Sequence, residues 1–126
     1  MVDKKIRTVY FYKSYFIDFI NSLRNPKAKE KTLYILRIIE TVERVSTDYL
    51  KHVEGTDGLY EIRIKSSSDI YRVFCFFDAG RLIIVVNGFQ KKSQKTPKGE
   101  IERALRIKAE YEREMRDINE ISKKKK

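Results

Sequence analysis

Hydrophobic positions recur along this chain with two different periods, and the changes of period divide it into elements. Residues 6–12 are dense in β-branched and aromatic side chains and read as a first strand. Tyr15, Phe16, Phe19, Ile20 and Leu23 then recur at helical spacing on one stripe, with Ser14 placed to cap it. Asn25-Pro26 ends that helix, because the residue before a proline is pushed out of the helical region. A second helix is expected over 27–45, its inward face carrying Leu36, Ile39 and Val42 with Leu33 or Ile35. Two helices joined by so short a turn read as a helical hairpin.

Residues 46–58 read as a connection that contains His52 and ends in the turn pair Asp57-Gly58. The period then falls to two: Tyr60, Ile62 and Ile64 share one face of a strand, and Leu59, Glu61 and Arg63 share the other. Ser66-Ser67-Ser68-Asp69 turns the chain into a strand over 70–77, and Asp78-Ala79-Gly80 turns it again. The unbroken apolar run from Leu82 to Val86 reads as a strand buried on both faces. These three strands are expected to form an antiparallel meander. Thr96-Pro97 opens the last helix, threonine as N-cap and proline in the first turn. Its apolar stripe is Ile101, Ala104, Leu105, Tyr111, Met115 and Ile118, and Glu102–Arg106 and Glu112–Arg116 are spaced for ion pairs along its exposed face. The helix fades near Ile121, so a single domain over 1–121 is followed by a basic tail over 122–126. Neither an internal repeat nor a low-complexity linker interrupts it.

Composition fits this reading: 126 residues suffice for one domain with a modest core, and 41% hydrophobic and 12% aromatic content exclude a disordered chain. With eight Tyr, seven Phe and no Trp, those rings are the expected bulk of the core. The net charge is +10; the four terminal lysines supply +4, which leaves +6 on the body. Such a balance favours an anionic partner, most simply nucleic acid, over the plainer reading of a basic solvated surface. The single cysteine, Cys75, sits in an apolar run and reads as a core residue, since one thiol makes neither an internal disulfide nor a cysteine-based metal site. No apolar leader opens the sequence, and no apolar run approaches the ~18 residues of a membrane span. A soluble, cytoplasmic protein with no membrane association is therefore expected.

The chemistry gathers where the last strand ends. Lys91, Lys92, Lys95 and Lys98 follow that strand, and no carboxylate stands between Asp78 and Glu100. A rigid strand that ends in such a run holds cations in place for something anionic. Arg72 shares a face with Ile70, Phe74 and Phe76, an unusual place for a side chain that is rarely buried unless paired. It is either a paired arginine at the core edge or the rim of a cleft. One histidine, one cysteine and no paired ligand spacing give no metal constellation, and no cofactor is expected.

Gly58-Leu59-Tyr60-Glu61-Ile62-Arg63, then Tyr71-Arg72-Val73-Phe74, then Gly88-Phe89-Gln90-Lys91-Lys92-Ser93-Gln94-Lys95-Thr96-Pro97 stand in that order. Together they resemble the phage-derived, HigB-type branch of the RelE toxin superfamily. The resemblance is densest over residues 55–111, and the Lys-Lys-Ser-Gln-Lys-Thr-Pro run is its most specific part. It implies an α+β, RelE-like fold: an N-terminal strand and helical hairpin, an antiparallel three-strand meander and a C-terminal helix. It further implies the toxin of a type II toxin–antitoxin pair, an endoribonuclease that cuts mRNA in the decoding site of a translating ribosome. The implied partner is a helix-turn-helix, HigA-like antitoxin, whose complex with the toxin commonly represses their own operon. The implied reaction is attack of a ribose 2′-hydroxyl on the adjacent phosphate, which expels the 5′-oxygen.

That reaction needs an acceptor for the 2′-proton, positive charge on the crowded phosphate and a proton for the leaving oxygen. Arg63, Arg72, Lys91 and Lys92 are the candidate catalytic residues, from adjacent strands whose faces converge if the meander is in simple register. Arginine suits the phosphate through its two-pronged donor geometry. Arg72 matches the arginine after the tyrosine in the family's third-strand motif. Lys91 falls where many relatives carry arginine or histidine, so it holds a phosphate as a point charge without the fork. Lys65, Gln90, Lys95 and Lys98 are candidate RNA contacts. A lysine near its ordinary pKa of ~10.4 is a poor base, and crowding with other cations would lower it. Lys91 or Lys92 so depressed is one candidate for proton transfer; Glu61 and His52 are others, Glu61 being alternatively a structural ion-pair partner. Tyr60 and Tyr71 are core residues or base-stacking rings. A second reading, from a different class, is a non-catalytic basic module that binds RNA or protein through the same face.

Overall fold

A computed structural model describes residues 4–80, 82–91 and 96–124. Its elements, in chain order, are β1 (Thr8–Phe11), α1 (Tyr15–Ser22), α2 (Pro26–Thr41), β2 (Leu50–His52), β3 (Leu59–Ser66), β4 (Asp69–Asp78), β5 (Leu82–Lys91) and α3 (Lys98–Lys124). The strands form one mixed sheet in the order β1-β5-β4-β3-β2. The fold is thus α+β, with the expected antiparallel run of β3, β4 and β5 inside a larger sheet rather than standing alone. Two pairings extend it. β1 lies parallel to β5, Thr8 against Leu82 through Phe11 against Val85. β2, which falls in the stretch expected to be a plain connection, lies antiparallel to β3.

Period-two alternation decides which helix each strand face meets. Ile62, Ile64, Val73, Cys75, Ile83 and Val85 are buried together with Phe16, Phe19, Ile35 and Ile39 of α1 and α2. On the other face Leu59, Phe74, Phe76, Ile84 and Val86 are buried with Ala104, Ile107 and Tyr111 of α3. The apolar β5 run is therefore covered on both sides, as its sequence requires. Cys75 is fully buried, and burial pushes its thiol pKa well above the ordinary range, which suits a core residue. Tyr71 is buried in the core and Tyr60 packs against it half-buried.

Three local readings change. α2 stops at Thr41, because the guanidinium of Arg7 donates to the carbonyls of Ile39, Val42 and Glu43 at its C-terminal end. Val42 and Leu33 are exposed, and the inward stripe is Ala28, Thr32, Ile35, Leu36 and Ile39. α3 turns Ile107 to the sheet, leaves Ile118 exposed beyond it, and continues to Lys124 instead of fading near Ile121. Glu112 pairs at 3.4 Å with Lys108, one turn before it, rather than with Arg116, one turn after it. Tyr111 ties α3 to the end of β4 by donating to Asp78 Oδ2 at 2.6 Å.

One irregularity interrupts the ladder between β4 and β5. Val73 faces Gly88 while Cys75 faces Val85, so Val86 and Asn87 both stand opposite Phe74 in a β-bulge. No helix among the described residues is long and apolar enough to cross a membrane.

Candidate active site

Directly opposed residues of an antiparallel pair share a face, so register decides which side chains meet. Arg63 of β3 stands opposite Arg72 of β4, and Arg72 stands opposite Phe89 of β5. The next row outward is Lys65, Ile70 and Lys91; the next row inward is Lys51, Glu61 and Phe74. Phe74 packs beneath α3, which puts all three rows on the α3 side of the sheet. The β4–β5 register is not the simple one expected: the bulge shifts it by one residue, and that shift brings Lys91 rather than Gln90 onto the face of Arg63 and Arg72.

Two arginines held directly opposite each other repel. Glu61 lies between them: its Oε1 is 3.5 Å from Arg72 Nε and 3.7 Å from Arg63 Nε. Its other oxygen accepts a hydrogen bond from Thr96 Oγ1 at 3.2 Å. Thr96 thus ties the start of α3 to the carboxylate, and the carbonyl at the helix start that accepts from Ile101 N–H belongs to Pro97. Arg72 is only 5% exposed and donates through Nη1 to the Tyr71 carbonyl at 3.1 Å. The stacked rings of Phe74 and Phe89, centroids 5.6 Å apart, lie against this row. Arg72 is therefore the paired core-edge arginine, and Arg63 and Lys65 form the more open rim.

Burial pushes the Arg72 pKa down, helped by the charge on Arg63 and opposed by Glu61. A guanidinium starts so high that it stays charged regardless. For Lys91 the direction has chemical consequences. Burial lowers its pKa first, then Arg72, with smaller contributions from Arg63 and Lys51, while Glu61 works the other way. A lowered lysine is expected from the sequence on grounds of crowding alone; desolvation is the larger cause. Beside this cluster a cavity of about 630 Å³ is lined by Arg63, Lys65, Ile70 and Arg72 with Tyr49 and Asp48 from the approach to β2.

Glu61, Arg63, Arg72 and Lys91 are thus brought together, with Lys65 beside them. Lys92 and Lys95 lie outside the described residues. Lys98 is exposed in the first turn of α3. Gln90 points to the opposite face, where it donates to Asp69 Oδ1 at 3.5 Å. His52 belongs to β2 rather than to a loop; it pairs with Tyr60, on the face away from Glu61. Its Nε2 lies 3.1 Å from the Thr56 carbonyl oxygen, and its ring meets Tyr60 edge-on. It has no part in the cluster. Lys51 and Thr96 join the site without having been singled out. Lys51 carries no signal while β2 goes unrecognised, and Thr96 was legible only as a cap. Among the described residues no three His, Cys, Asp or Glu side chains gather as a metal-binding set.

The molecule is an α+β protein whose mixed sheet gathers arginines and a lysine of lowered pKa around one carboxylate, an arrangement suited to an anion. Residues 18–109 match the family model for phage derived protein Gp49-like (DUF891). The chain belongs to this family, which is of the RelE toxin type and is associated with the toxins of toxin–antitoxin pairs. No curated protein matches the chain.

Proposed function

We propose that this protein is the toxin of a type II toxin–antitoxin pair, of the HigB branch, and cleaves mRNA on the ribosome by 2′-hydroxyl attack without metal. The observation that carries the reading is the cluster of Arg63, Arg72 and Lys91 around Glu61, joined to membership of a toxin-type family. A phosphate held against the two arginines has its charge countered as a fifth oxygen approaches phosphorus. The 2′-O–H bond breaks as the 2′-O–P bond forms, and the P–O5′ bond then breaks. Lys91 and Lys92 divide the proton transfers, one taking the 2′-proton and the other protonating the departing 5′-oxygen. Burial of Lys91 favours its neutral form and suits it to the first role. Glu61 faces both guanidinium groups with one oxygen and accepts from Thr96 with the other, which suits it to hold the arginines. The partner in this reading is a HigA-like helix-turn-helix antitoxin, and the site of action is the cytoplasm.

One observation favours the second reading, a basic module that binds RNA without cutting it: Arg72 is nearly buried, ion-paired with Glu61 and hydrogen-bonded to the Tyr71 carbonyl, so little of its guanidinium is open to a substrate. Primer extension on a defined mRNA, with and without programmed ribosomes, decides between them. Discrete cuts that need ribosomes and vanish in Arg72→Ala and Lys91→Ala are expected. A folded protein that binds RNA with a graded salt dependence and never cuts it overturns the nuclease reading.

A further inference from the structure

Around the free edge of β5, beside the arginine cluster, lies a second cavity that the proposed reaction does not use. The pairing of β1 with β5 ends at Phe11 and Val85, so the bulge and the strand end beyond it meet α1 instead of a strand. There a cavity of about 530 Å³ opens between α1 and the ends of β4 and β5, with Arg103 of α3 also lining it.

Asn87, at the bulge, lines this cavity and is 2% exposed. Neither its Oδ1 nor its Nδ2 has a hydrogen-bond partner among the described residues. Buried amides are almost always paired, so an unpaired one marks a place where something else supplies the bonds. The groups around it say what that is. The rings of Tyr15, Phe19, Tyr71 and Phe89 line the same space and offer flat apolar surface. Gly88 lets the backbone come against Phe19; a Cβ there would lie 2.7 Å from the ring. Two exposed cations, Arg24 and Arg103, also line it, Arg103 over the Tyr15 ring at 6.0 Å, as do two carboxylates, Asp18, which accepts from Ser14, and Asp69, which accepts from Gln90. An aromatic lining with one unsatisfied donor–acceptor amide inside and cations at the rim complements a planar heterocycle that carries a phosphate. An asparagine amide matches adenine best, because N6–H and N7 present a donor and an acceptor side by side.

We infer that this cavity is a nucleobase subsite, with Asn87 reading the base edge and Arg24 and Arg103 receiving the phosphate. Tyr71 and Gln90 of its wall adjoin Arg72 and Lys91 of the cluster, so the two sites lie back to back across the same strand ends. As a subsite for the RNA being cut, it rests on the proposed nuclease reading; as a site for a free mononucleotide it does not.

Titration of ¹⁵N-labelled protein with AMP, CMP, GMP and UMP, followed by NMR, tests it. AMP is expected to move the Asn87 side-chain amide resonances and to bind about 10-fold more tightly than UMP. Asn87→Leu is expected to lose that preference while thermal stability is kept or raised, because an apolar side chain of similar shape replaces an unpaired amide. Arg103→Ala, an exposed change, is expected to weaken all four nucleotides alike. Asn87 resonances unmoved by every nucleotide, or undiminished AMP preference in Asn87→Leu, overturn the subsite. None of these readouts needs cleavage. A protein that never cuts mRNA yet binds AMP at Asn87 keeps the subsite and loses the nuclease, and one that cuts but ignores AMP does the reverse.

Discussion

Replacing Glu61 by glutamine probes the cluster most directly, because it removes one charge and almost no volume. Glu61 stands 3.5 Å from Arg72 Nε and 3.7 Å from Arg63 Nε, and Arg72 is nearly buried. At an effective dielectric near 20, an opposite pair at such a distance attracts by about 4–5 kcal/mol before desolvation is charged against it. Losing one partner of a buried pair costs about 3–5 kcal/mol, since the remaining charge stays buried without compensation. Glutamine still offers Thr96 an acceptor, which puts Glu61→Gln at the lower end, about 3 kcal/mol. For a chain of 126 residues the unfolding entropy is roughly 0.26 kcal/mol/K, so Tm should fall by about 11 °C in calorimetry. Adding Arg72→Met removes the stranded cation, and the double variant should regain about 2 kcal/mol over Glu61→Gln alone. A fall of under about 1 kcal/mol, or a double variant less stable than the single one, would show that Glu61 does not neutralise Arg72. The same variant separates the two roles of Glu61 in a cleavage assay. An organising carboxylate lost lowers the rate across all pH, whereas a base lost removes the acidic limb of the pH–rate profile.

Lys91→Met should make the folded state more stable at neutral pH. The folded-state pKa of Lys91 is lowered, so below that value both states are protonated and the folded state bears the full cost; between it and the unfolded value of ~10.4 the unfolded chain holds more protons and wild-type stability rises with pH. Urea titrations from pH 7 to pH 10 should therefore show the variant's advantage shrinking, and a constant difference would refute the shift. In the cleavage assay Lys91→Met should lose about 100-fold or more, and full activity in Lys91→Arg would leave Lys91 with charge alone. Gly88→Ala should cost about 1–3 kcal/mol by chemical denaturation, because the added methyl meets the Phe19 ring at 2.7 Å and both backbone and ring must shift.

How much of the fold was legible in the chain depends on the reach of each signal. Alternation at 59–64 sorted Glu61 and Arg63 from Ile62 and Ile64 correctly, because the face of Ile62 and Ile64 packs into the core and fixes the register. The unbroken run of β5 announced burial on both faces. β2 escaped because three residues are too few to show a period. The parallel pairing of β1 with β5 escaped because it joins residues more than 70 positions apart and no local pattern encodes it. Ile107 and Ile118 sit on nearly the same helical stripe, and only the finite length of the sheet decides that the first is buried and the second is not. The bulge at Asn87 was invisible for a similar reason: it exists only as a mismatch between two strands. His52 and Gln90 looked like site residues by proximity along the chain, and pairing put both on the wrong face.

The cations divide along the same line. The lysine run after β5 drew attention because it lacks carboxylates, yet the cations observed together come from four strands: Lys51, Arg63, Arg72 and Lys91. Among the described residues it is sheet pairing, not sequence proximity, that concentrates the charge. That concentration breaks a local rule, since Arg63 and Arg72 face each other across β3 and β4. A chain folding only for stability has no use for the conflict, and such conflicts collect at functional sites. Glu61 lowers the repulsion without cancelling it, leaving an excess of positive charge beside an open cavity. A phosphodiester in that space would supply the missing negative charge. Glu61 faces both guanidinium groups through one oxygen and Thr96 through the other, a placement that suits an organiser of the cluster. In the proposed reaction the proton chemistry would fall to Lys91, whose surroundings lower its pKa.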